Sequence, residues 1–140
     1  MVIEKQIPFS ERRILPRCAI DTEVKIQIES GGATGEYTAR SINISLRAFE
    51  LSCDDALIQA ILGQNAYPHT CDISFAIAEV SRPFKLKTQV LTHRRLSRDR
   101  YQLVLRFIDL EADVQERLLN QLASLRVIDN KAQQKIFLAH

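Results

Sequence analysis

Short segments in which every second residue is apolar constrain the fold of this chain more than any other feature. Val24, Ile26 and Ile28 alternate with polar residues in "CAIDTEVKIQIE". The same period recurs in "AFELSC", "FKLKTQVLTHRRLS" and "YQLVLRFIDL", and "EYTARSI" and "HTCDISFAIAEV" also indicate strands. Successive side chains of a strand point to opposite faces, so this period predicts strands with one buried face. The chain therefore contains five or six predicted strands at short spacing.

The segments between these strands are short and rich in turn residues. "SGGATG", residues 30–35, contains three of the chain's four glycines and predicts a hairpin turn. "NISLR" interrupts the pattern before "AFELSC", and "SRDR" is predicted to join the last two strands. "DDALIQAILG", residues 54–63, has two interpretations: a short helix capped by Asp54 or Asp55, or an irregular loop.

The C-terminal part of the chain changes to a helical period. Val114, Leu118, Leu122 and Leu125 form an apolar stripe on one helix face. Strands followed by a helix predict a mainly β fold: a small antiparallel six-stranded β-barrel with a C-terminal α-helix. We divide the chain into an N-terminal arm (1–17), the barrel with its helix (18–126) and a C-terminal tail (127–140), for which a second, weaker helix is predicted.

Composition narrows the classes of function. The net charge of +2 argues against a protein that coats nucleic acid by bulk electrostatics. Cys18, Cys53 and Cys71 are odd in number and widely spaced, which favours small core residues over zinc ligands or disulfides. No segment resembles a signal peptide or a membrane span, so we expect a cytoplasmic protein without membrane insertion. No nucleophile–base, metal-ligand or phosphate-loop motif is present, and we expect no enzyme, metal or cofactor.

Three arginines lie in "RRILPR", residues 12–17, which contains Arg13-x-x-x-Arg17. A guanidinium is planar and permanently charged, and it makes bidentate contacts with phosphate or with the O6/N7 edge of guanine. Pro16 restricts the backbone of the arm. Two interpretations remain open at this point: a solvated basic arm, or a clamp for a planar anionic ligand.

A second short motif, Asn43-Ile44-Ser45, lies between the second and third predicted strands. Asn43 and Ser45 are ordinary turn residues, because their side chains bond to nearby backbone. Both side chains also accept hydrogen bonds from the N1–H and N2–H edge of a guanine. Alone, this motif does not distinguish the two roles.

Taken together and in this order, the two motifs resemble those of the PilZ domain, R-x-x-x-R and (D/N)-x-S-x-x-G. The resemblance covers residues 9–123 and includes the late strand "YQLVLRFIDL" and the helix after it. It implies a small β-barrel with a C-terminal helix that binds the bacterial second messenger cyclic di-GMP. It further implies an arm that orders over the ligand and so changes the contact with a protein partner.

The resemblance also assigns roles to individual residues. Arg13 and Arg17 would hold phosphates and stack on or bond to the guanines, with Arg12 as a third ligand. Asn43 and Ser45 would read one guanine edge from the barrel.

Ala48 belongs to the predicted ligand site but stands where the PilZ pattern has glycine. Three cases remain open. A positive φ would cost alanine about 1–2 kcal/mol, a close approach of the ligand would crowd its methyl group, and a negative φ would make it harmless.

A second basic run, "HRRLSRDR", occupies residues 93–100. It is either a solvated hairpin end, or part of the ligand rim through His93, Arg94 or Arg95, or a docking site for an acidic partner. Strand alternation places Arg94 and Arg95 on opposite faces.

Three hypotheses follow. The first is a cyclic di-GMP receptor that relays binding to an unidentified protein partner. The second is a degenerate PilZ-like adaptor that does not bind cyclic di-GMP and acts through protein contacts alone. The third, a barrel that binds RNA through the same arginines, is least favoured, because aromatic residues make up 6% and fall mostly at core positions. We therefore expect no nucleic-acid polymer as ligand. The partner, the ligand stoichiometry and the oligomeric state stay open.

Overall fold

A computed structural model of the protein describes residues 17–30, 32–78, 82–125 and 127–128. These residues form strands and two helices in the following order: β1 (Arg17–Ala19), β2 (Glu23–Ser30), β3 (Ala33–Ile44), β4 (Ala48–Cys53), α1 (Asp55–Leu62), β5 (Thr70–Phe75), β6 (Phe84–Arg95), β7 (Tyr101–Ile108), α2 (Ala112–Leu122) and β8 (Val127–Ile128).

Six of the strands close into an antiparallel barrel. Their order is β2-β5-β6-β7-β4-β3, and β3 returns to pair with β2 from Glu23 opposite Arg40 to Ser30 opposite Ala33. β1 lies outside this ring, paired with the C-terminal end of β3, and β8 pairs with β1. The predicted fold class, a six-stranded antiparallel barrel with a C-terminal helix, is confirmed.

The barrel interior is filled by the alternating apolar side chains of its strands. On β4, Phe49, Leu51 and Cys53 are fully buried, while the side chains between them face outward. Phe49 meets the edge of Phe75 at 4.7 Å between ring centroids, and Phe75 stacks on Phe84 at 5.4 Å. Such aromatic pairs stabilise a core beyond their buried area.

Helix α1 covers the end of the barrel at which β4 finishes. Asp54 begins it, since its carboxylate accepts a hydrogen bond from the backbone N–H of Leu57 at 3.2 Å. Leu57, Ile58 and Ile61 are buried against the barrel. Segment 54–63 is therefore a helix rather than a loop, because its apolar face closes an otherwise open barrel end.

Helix α2 covers the opposite end, as its apolar stripe predicts. Leu118 and Leu122 are buried, and the guanidinium of Arg117 lies 3.8 Å from the ring centroid of Phe84 at the start of β6. The thiol of Cys18 lies 3.7 Å from the carbonyl oxygen of Leu122, which joins β1 to the end of this helix.

The segment "CAIDTEVKIQIE", predicted as one strand, is divided into β1 and β2. Ser41 of β3 holds the break: its Oγ accepts from the backbone N–H of Thr22 at 2.8 Å and donates to the carbonyl of Ile20 at 2.7 Å. Its own N–H donates to the Thr22 carbonyl at 3.0 Å. Ser41 thus gives hydrogen-bond partners to backbone groups of Ile20 and Thr22, which lie between the two strands. The chain can therefore leave the sheet there without leaving these groups unpaired.

β3 continues further than the sequence pattern indicates, and Asn43 lies inside it rather than in a turn. The register of β3 against β4 shifts between Ser41 and Asn43: Ser41 lies opposite the inward-facing Leu51, but Asn43 lies opposite the outward-facing Glu50. A β-bulge inserts one residue into a strand and so turns the next side chain to the other face. The bulge therefore places Asn43 on the outer surface.

Other predicted boundaries also move. β5 ends at Phe75 rather than continuing to Val80, and β1 begins at Arg17, the last residue assigned to the arm. Residues 127–128, predicted to open a helical tail, form the strand β8 instead, because β1 offers them a free edge. Residues 1–16 and 129–140 lie outside the described residues, so the roles of arm and tail stay predictions.

The three cysteines are buried and unpaired, as the composition predicts. Burial raises the pKa of the Cys53 and Cys71 thiols to about 11 and also raises the pKa of Cys18. These thiols stay protonated near neutral pH and act as small core side chains.

We expect Ser41→Ala to lower the free energy of unfolding by about 1–3 kcal/mol, because one buried and one partly buried backbone group lose their partner. Urea denaturation measures this change. Ser74→Ala, on the outer face of β5, is the matched control and should change stability by less than about 0.5 kcal/mol. Equal effects of the two substitutions would contradict the proposed role of Ser41.

Candidate functional site

The pairing of β1 with β3 brings the two sequence motifs together. Cys18 lies opposite Ile44, and the same register continued by one residue places Arg17 opposite Ser45. Cys18 and Ile44 are buried, so Arg17 belongs to the set of β1 side chains that face outward. Arg17, the second arginine of R-x-x-x-R, thus lies beside the N-x-S motif, although the two are far apart along the chain.

Arg12 and Arg13, the other two predicted arginines of the site, lie outside the described residues. Their role therefore stays a prediction.

Asn43 is held by a network of side chains on the outer face. Its Nδ2 donates to Glu50 Oε1 at 2.7 Å, and Gln102 Nε2 donates to Glu50 Oε2. Arg94 Nε in turn donates to Gln102 Oε1 at 2.5 Å. We call these four residues the outer ladder, since they cross β3, β4, β7 and β6 in succession.

The outer ladder determines which end of the Asn43 amide is presented. The carboxylate of Glu50 accepts hydrogen bonds and donates none, so it holds Nδ2 and repels the amide oxygen. Oδ1 therefore points away from Glu50. Only 8% of Asn43 is exposed, and a buried amide with one end held presents its other end as a defined acceptor.

Ser45 forms the tight turn between β3 and β4. Its N–H donates to the carbonyl of Ala48 at 2.9 Å, and its Oγ accepts from the N–H groups of Arg47 and Ala48, each at 3.2 Å. Ser45 is only 6% exposed. The Ser45 hydroxyl is therefore bonded to the backbone of its own turn, as serine side chains commonly are.

Ala48 begins β4 and has ordinary backbone geometry. Among the described non-glycine residues, a positive φ occurs at Asp109, so the strained case considered for Ala48 does not apply. Its neighbour on β7 is Arg106, whose Nη2 donates to Gln89 Oε1 at 2.9 Å. A small residue at position 48 leaves room beside this arginine.

Sequence reasoning assigned no role to Glu50, Gln102 or Arg106, and it noted Arg47 only within "NISLR". Alternation along β4 and β7 would have placed Glu50 and Gln102 on the outer face. Alternation does not show which strands are neighbours or in what register, and that register is what joins these residues to Asn43.

The arginines of residues 93–100 point in different directions, as alternation predicts. Arg94 joins the outer ladder, whereas Arg95 donates to the carbonyls of Ser97 and Arg98 and lies 5.8 Å from the ring centroid of Tyr101. No contact of the described residues places either arginine against Asn43 directly.

A metal site, a membrane-spanning helix and a surface groove are the other features of the described residues that could indicate a function. Within the described ranges, no group of three or more His, Cys, Asp or Glu side chains could hold a metal ion, and no helix is long and apolar enough to cross a membrane. A half-open groove of about 920 Å³ lies along β3, β2, β5 and β6, lined by lysines and acidic residues such as Lys25, Lys85 and Asp72. It contains none of the predicted ligand residues.

Comparison with known proteins identifies the fold. No family model and no curated protein matches the sequence. The structure is similar to the PilZ domain of YcgR from Escherichia coli, solved with c-di-GMP, with 14% identity and a TM-score of 0.58 over 86% of this chain and 93% of that chain. This chain has the PilZ fold.

Two further solved structures share the PilZ fold. One is the inhibitor of motility MotI/DgrA of Bacillus subtilis, with 19% identity and a TM-score of 0.60 over 78% of this chain and 48% of that chain. The other is the PlzA protein of Borreliella burgdorferi in complex with c-di-GMP, with 18% identity and a TM-score of 0.50 over 81% and 52%. The chain spans about half the length of these two proteins and nearly the whole YcgR domain.

A substitution cycle within the PilZ barrel tests the contact between Asn43 and Glu50. Asn43→Asp places two carboxylates next to each other. Glu50→Gln replaces one acceptor oxygen by an NH₂ group, which then meets the NH₂ group of Asn43 or Gln102. Each change alone should therefore lower the free energy of unfolding by about 1 kcal/mol. The double variant should recover most of that loss, because the exchanged groups again pair donor with acceptor. Urea denaturation at neutral pH measures the coupling; strictly additive losses would contradict the contact.

Proposed function

We propose that this chain binds cyclic di-GMP on the outer face of the PilZ barrel, where β1 meets the end of β3 and the β3–β4 turn. The observation that carries the proposal is the antiparallel pairing that sets Arg17 beside Asn43 and Ser45. Two similar structures, the YcgR PilZ domain and PlzA, were solved with this ligand, which supports the same ligand class here.

The arginines supply the charge that the ligand requires. Cyclic di-GMP carries two phosphates and two guanines, and a guanidinium contacts either of them in bidentate geometry or by stacking. Arg17 has a defined position at the start of β1. Arg12 and Arg13, on the arm before it, would complete the clamp from the other side of the ligand.

Asn43 would select guanine. Its Oδ1, turned away from Glu50, accepts from the N1–H or N2–H groups of a guanine Watson–Crick edge. Adenine has no N–H at position 1 and no amino group at position 2, so it would cover this acceptor without giving it a partner. An unsatisfied buried acceptor costs about 1–3 kcal/mol, which is the basis of the expected base specificity.

Ser45 and Ala48 would act by shaping the turn under the ligand. Ser45 holds the N–H groups of the turn and so determines where Asn43 and Arg47 lie. Ordering of the arm over bound ligand would then change the surface offered to an unidentified protein partner.

Isothermal titration calorimetry with cyclic di-GMP tests the proposal, with cyclic di-AMP and GMP as control ligands. We expect saturable binding of cyclic di-GMP and much weaker binding of the controls. The stoichiometry would show whether one or two ligands bind. A folded protein that binds none of these ligands would instead favour the adaptor that acts through protein contacts alone.

Substitutions then locate the site. Arg17→Ala should weaken binding by about 2–5 kcal/mol, because it removes a charge-assisted partner of the ligand. Arg98→Ala removes an equal charge from the distant β6–β7 hairpin and is the matched control. Equal affinities of the two variants would contradict the assignment of Arg17.

Ala48→Gly should leave the affinity within about twofold of the parent or improve it, because the backbone at position 48 has no positive φ and glycine only removes a methyl group. The same titration measures this. A large loss of affinity would show that the methyl group itself contacts the ligand.

A further inference from the structure

A row of arginines crosses the outer face of the barrel on the hairpin side of the outer ladder. Arg40 on β3 lies opposite Ser52 on β4, Ser52 lies opposite Gln102 on β7, and Gln102 lies opposite Arg94 on β6. Arg100, just before β7, donates from Nε to Ser52 Oγ at 3.1 Å. We call Arg40, Arg100 and Arg94 the arginine row.

Each member of the arginine row is anchored through the same atom. Nε of Arg94 is held by Gln102, Nε of Arg100 by Ser52 and Nε of Arg40 by Asp21 at 2.6 Å. These contacts leave the two terminal nitrogens of each guanidinium as a pre-oriented fork. Pre-orientation lowers the entropy lost when such a fork binds a carboxylate.

Among the described residues, no ion pair neutralises Arg94 or Arg100. Residues 93–100 contain four arginines and one aspartate. The ion pair found among the described residues joins Arg40 to Asp21, whose pKa is lowered by the hydrogen bond and charge of Arg40. Arg94 and Arg100 are instead anchored by the neutral side chains of Gln102 and Ser52.

Exposed apolar side chains flank the arginine row. Leu91 is 50% exposed and Leu96 is 46% exposed, on either side of Arg94 along β6 and its end. Leu91 is the extra residue of a bulge where the β6–β7 register shifts between Val90 and Thr92. Arginines beside exposed leucines are a combination that suits a protein interface.

We propose that the arginine row, with Leu91 and Leu96, is the docking surface for an acidic, partly apolar segment of a protein partner. Arg94 reaches over β7 and Arg100 over β4, which are neighbouring strands about 5 Å apart. An extended peptide carries the side chains of alternate residues on one face, about 7 Å apart, so an alternating acidic sequence offers a separate carboxylate to each fork. The residues between those carboxylates then face the leucines.

A nucleic acid fits this surface less well. Asp21 and Glu50 carry carboxylates at the edge of the row, and Asp99 adds a third in the hairpin. A uniformly charged phosphate backbone would meet all three, whereas a protein segment places carboxylates only where the guanidinium forks lie. The docking surface does not depend on cyclic di-GMP binding, so the two proposals fail independently.

Fluorescence anisotropy of a labelled synthetic peptide of alternating Glu and Leu tests the proposal at about 0.15 M salt, where distant charges are screened. A Lys–Leu peptide of the same length, a short duplex DNA and vesicles with anionic lipid serve as comparison probes. We expect the acidic peptide to bind and the Lys–Leu peptide not to bind. The acidic peptide should also bind more tightly than the DNA or the vesicles.

Arg94→Gln with Arg100→Gln should weaken binding of the acidic peptide about tenfold or more. Lys85→Gln with Lys87→Gln is the matched control: it removes the same charge from two exposed positions of β6 that line the groove on the other side of the barrel. This control should change the affinity by less than about twofold. Arg94→Lys with Arg100→Lys keeps the charge but loses the forks, and should bind with intermediate affinity.

Three results would overturn the proposal. In the first, the acidic peptide fails to bind the folded protein. In the second, both Gln double variants weaken binding equally, which indicates that bulk charge alone causes the binding. In the third, the DNA or the vesicles bind more tightly than the peptide and depend on Arg94 and Arg100, which would assign the surface to that class of partner.

Discussion

The backbone pairing of β3 with three other strands is the constraint on which the rest of the structure depends. Along one edge, β3 pairs first with β2, which closes the barrel, and then with β1; along the other edge it pairs with β4. The bulge at residues 41–43 lies at the point where β3 changes its partner from β2 to β1. It keeps Ser41 inside, where this side chain holds the chain between β1 and β2, and turns Asn43 outward. The inserted residue therefore separates the inward-facing side chain that holds the break between β1 and β2 from the outward-facing Asn43 of the candidate site.

The electrostatics around Asn43 explain why an amide suits this position. The PilZ motif admits Asp or Asn there, and in this chain Glu50 lies directly opposite on β4. Two carboxylates at hydrogen-bond distance would repel each other, whereas an amide donates to Glu50 and keeps an acceptor facing outward. The negative charge therefore lies on β4, and the amide oxygen of Asn43 is the group proposed to contact the guanine edge.

The outer ladder also connects two surfaces with different proposed partners. Glu50 holds Asn43 on one side and Gln102 on the other, and Gln102 holds the guanidinium of Arg94. The proposed ligand surface and the arginine row thus share a continuous set of hydrogen bonds on one side of the barrel. A ligand where β1 meets the end of β3 and a protein on the arginine row would bind side by side rather than compete for the same atoms.

The sequence by itself determined the local features of this protein. The period of two in the strands, the helical period after residue 112 and the turn chemistry of Ser45 follow from residue type and spacing, because they express local backbone geometry. The two motifs were visible for the same reason, and so was the expectation of a barrel. The bounds of β5 and the division between β1 and β2 were not, since they depend on partners from distant parts of the chain.

Only the tertiary structure decided what depends on register. Period alone would have left Asn43 on the same face as Ser41; the bulge reversed it. Likewise, nothing in the spacing of Glu50, Gln102 and Arg94 indicated that they bond to one another, because strand order and register are set by packing of the whole barrel. Long-range pairing is fixed collectively by the core, so a single strand's sequence specifies its faces but not its neighbours.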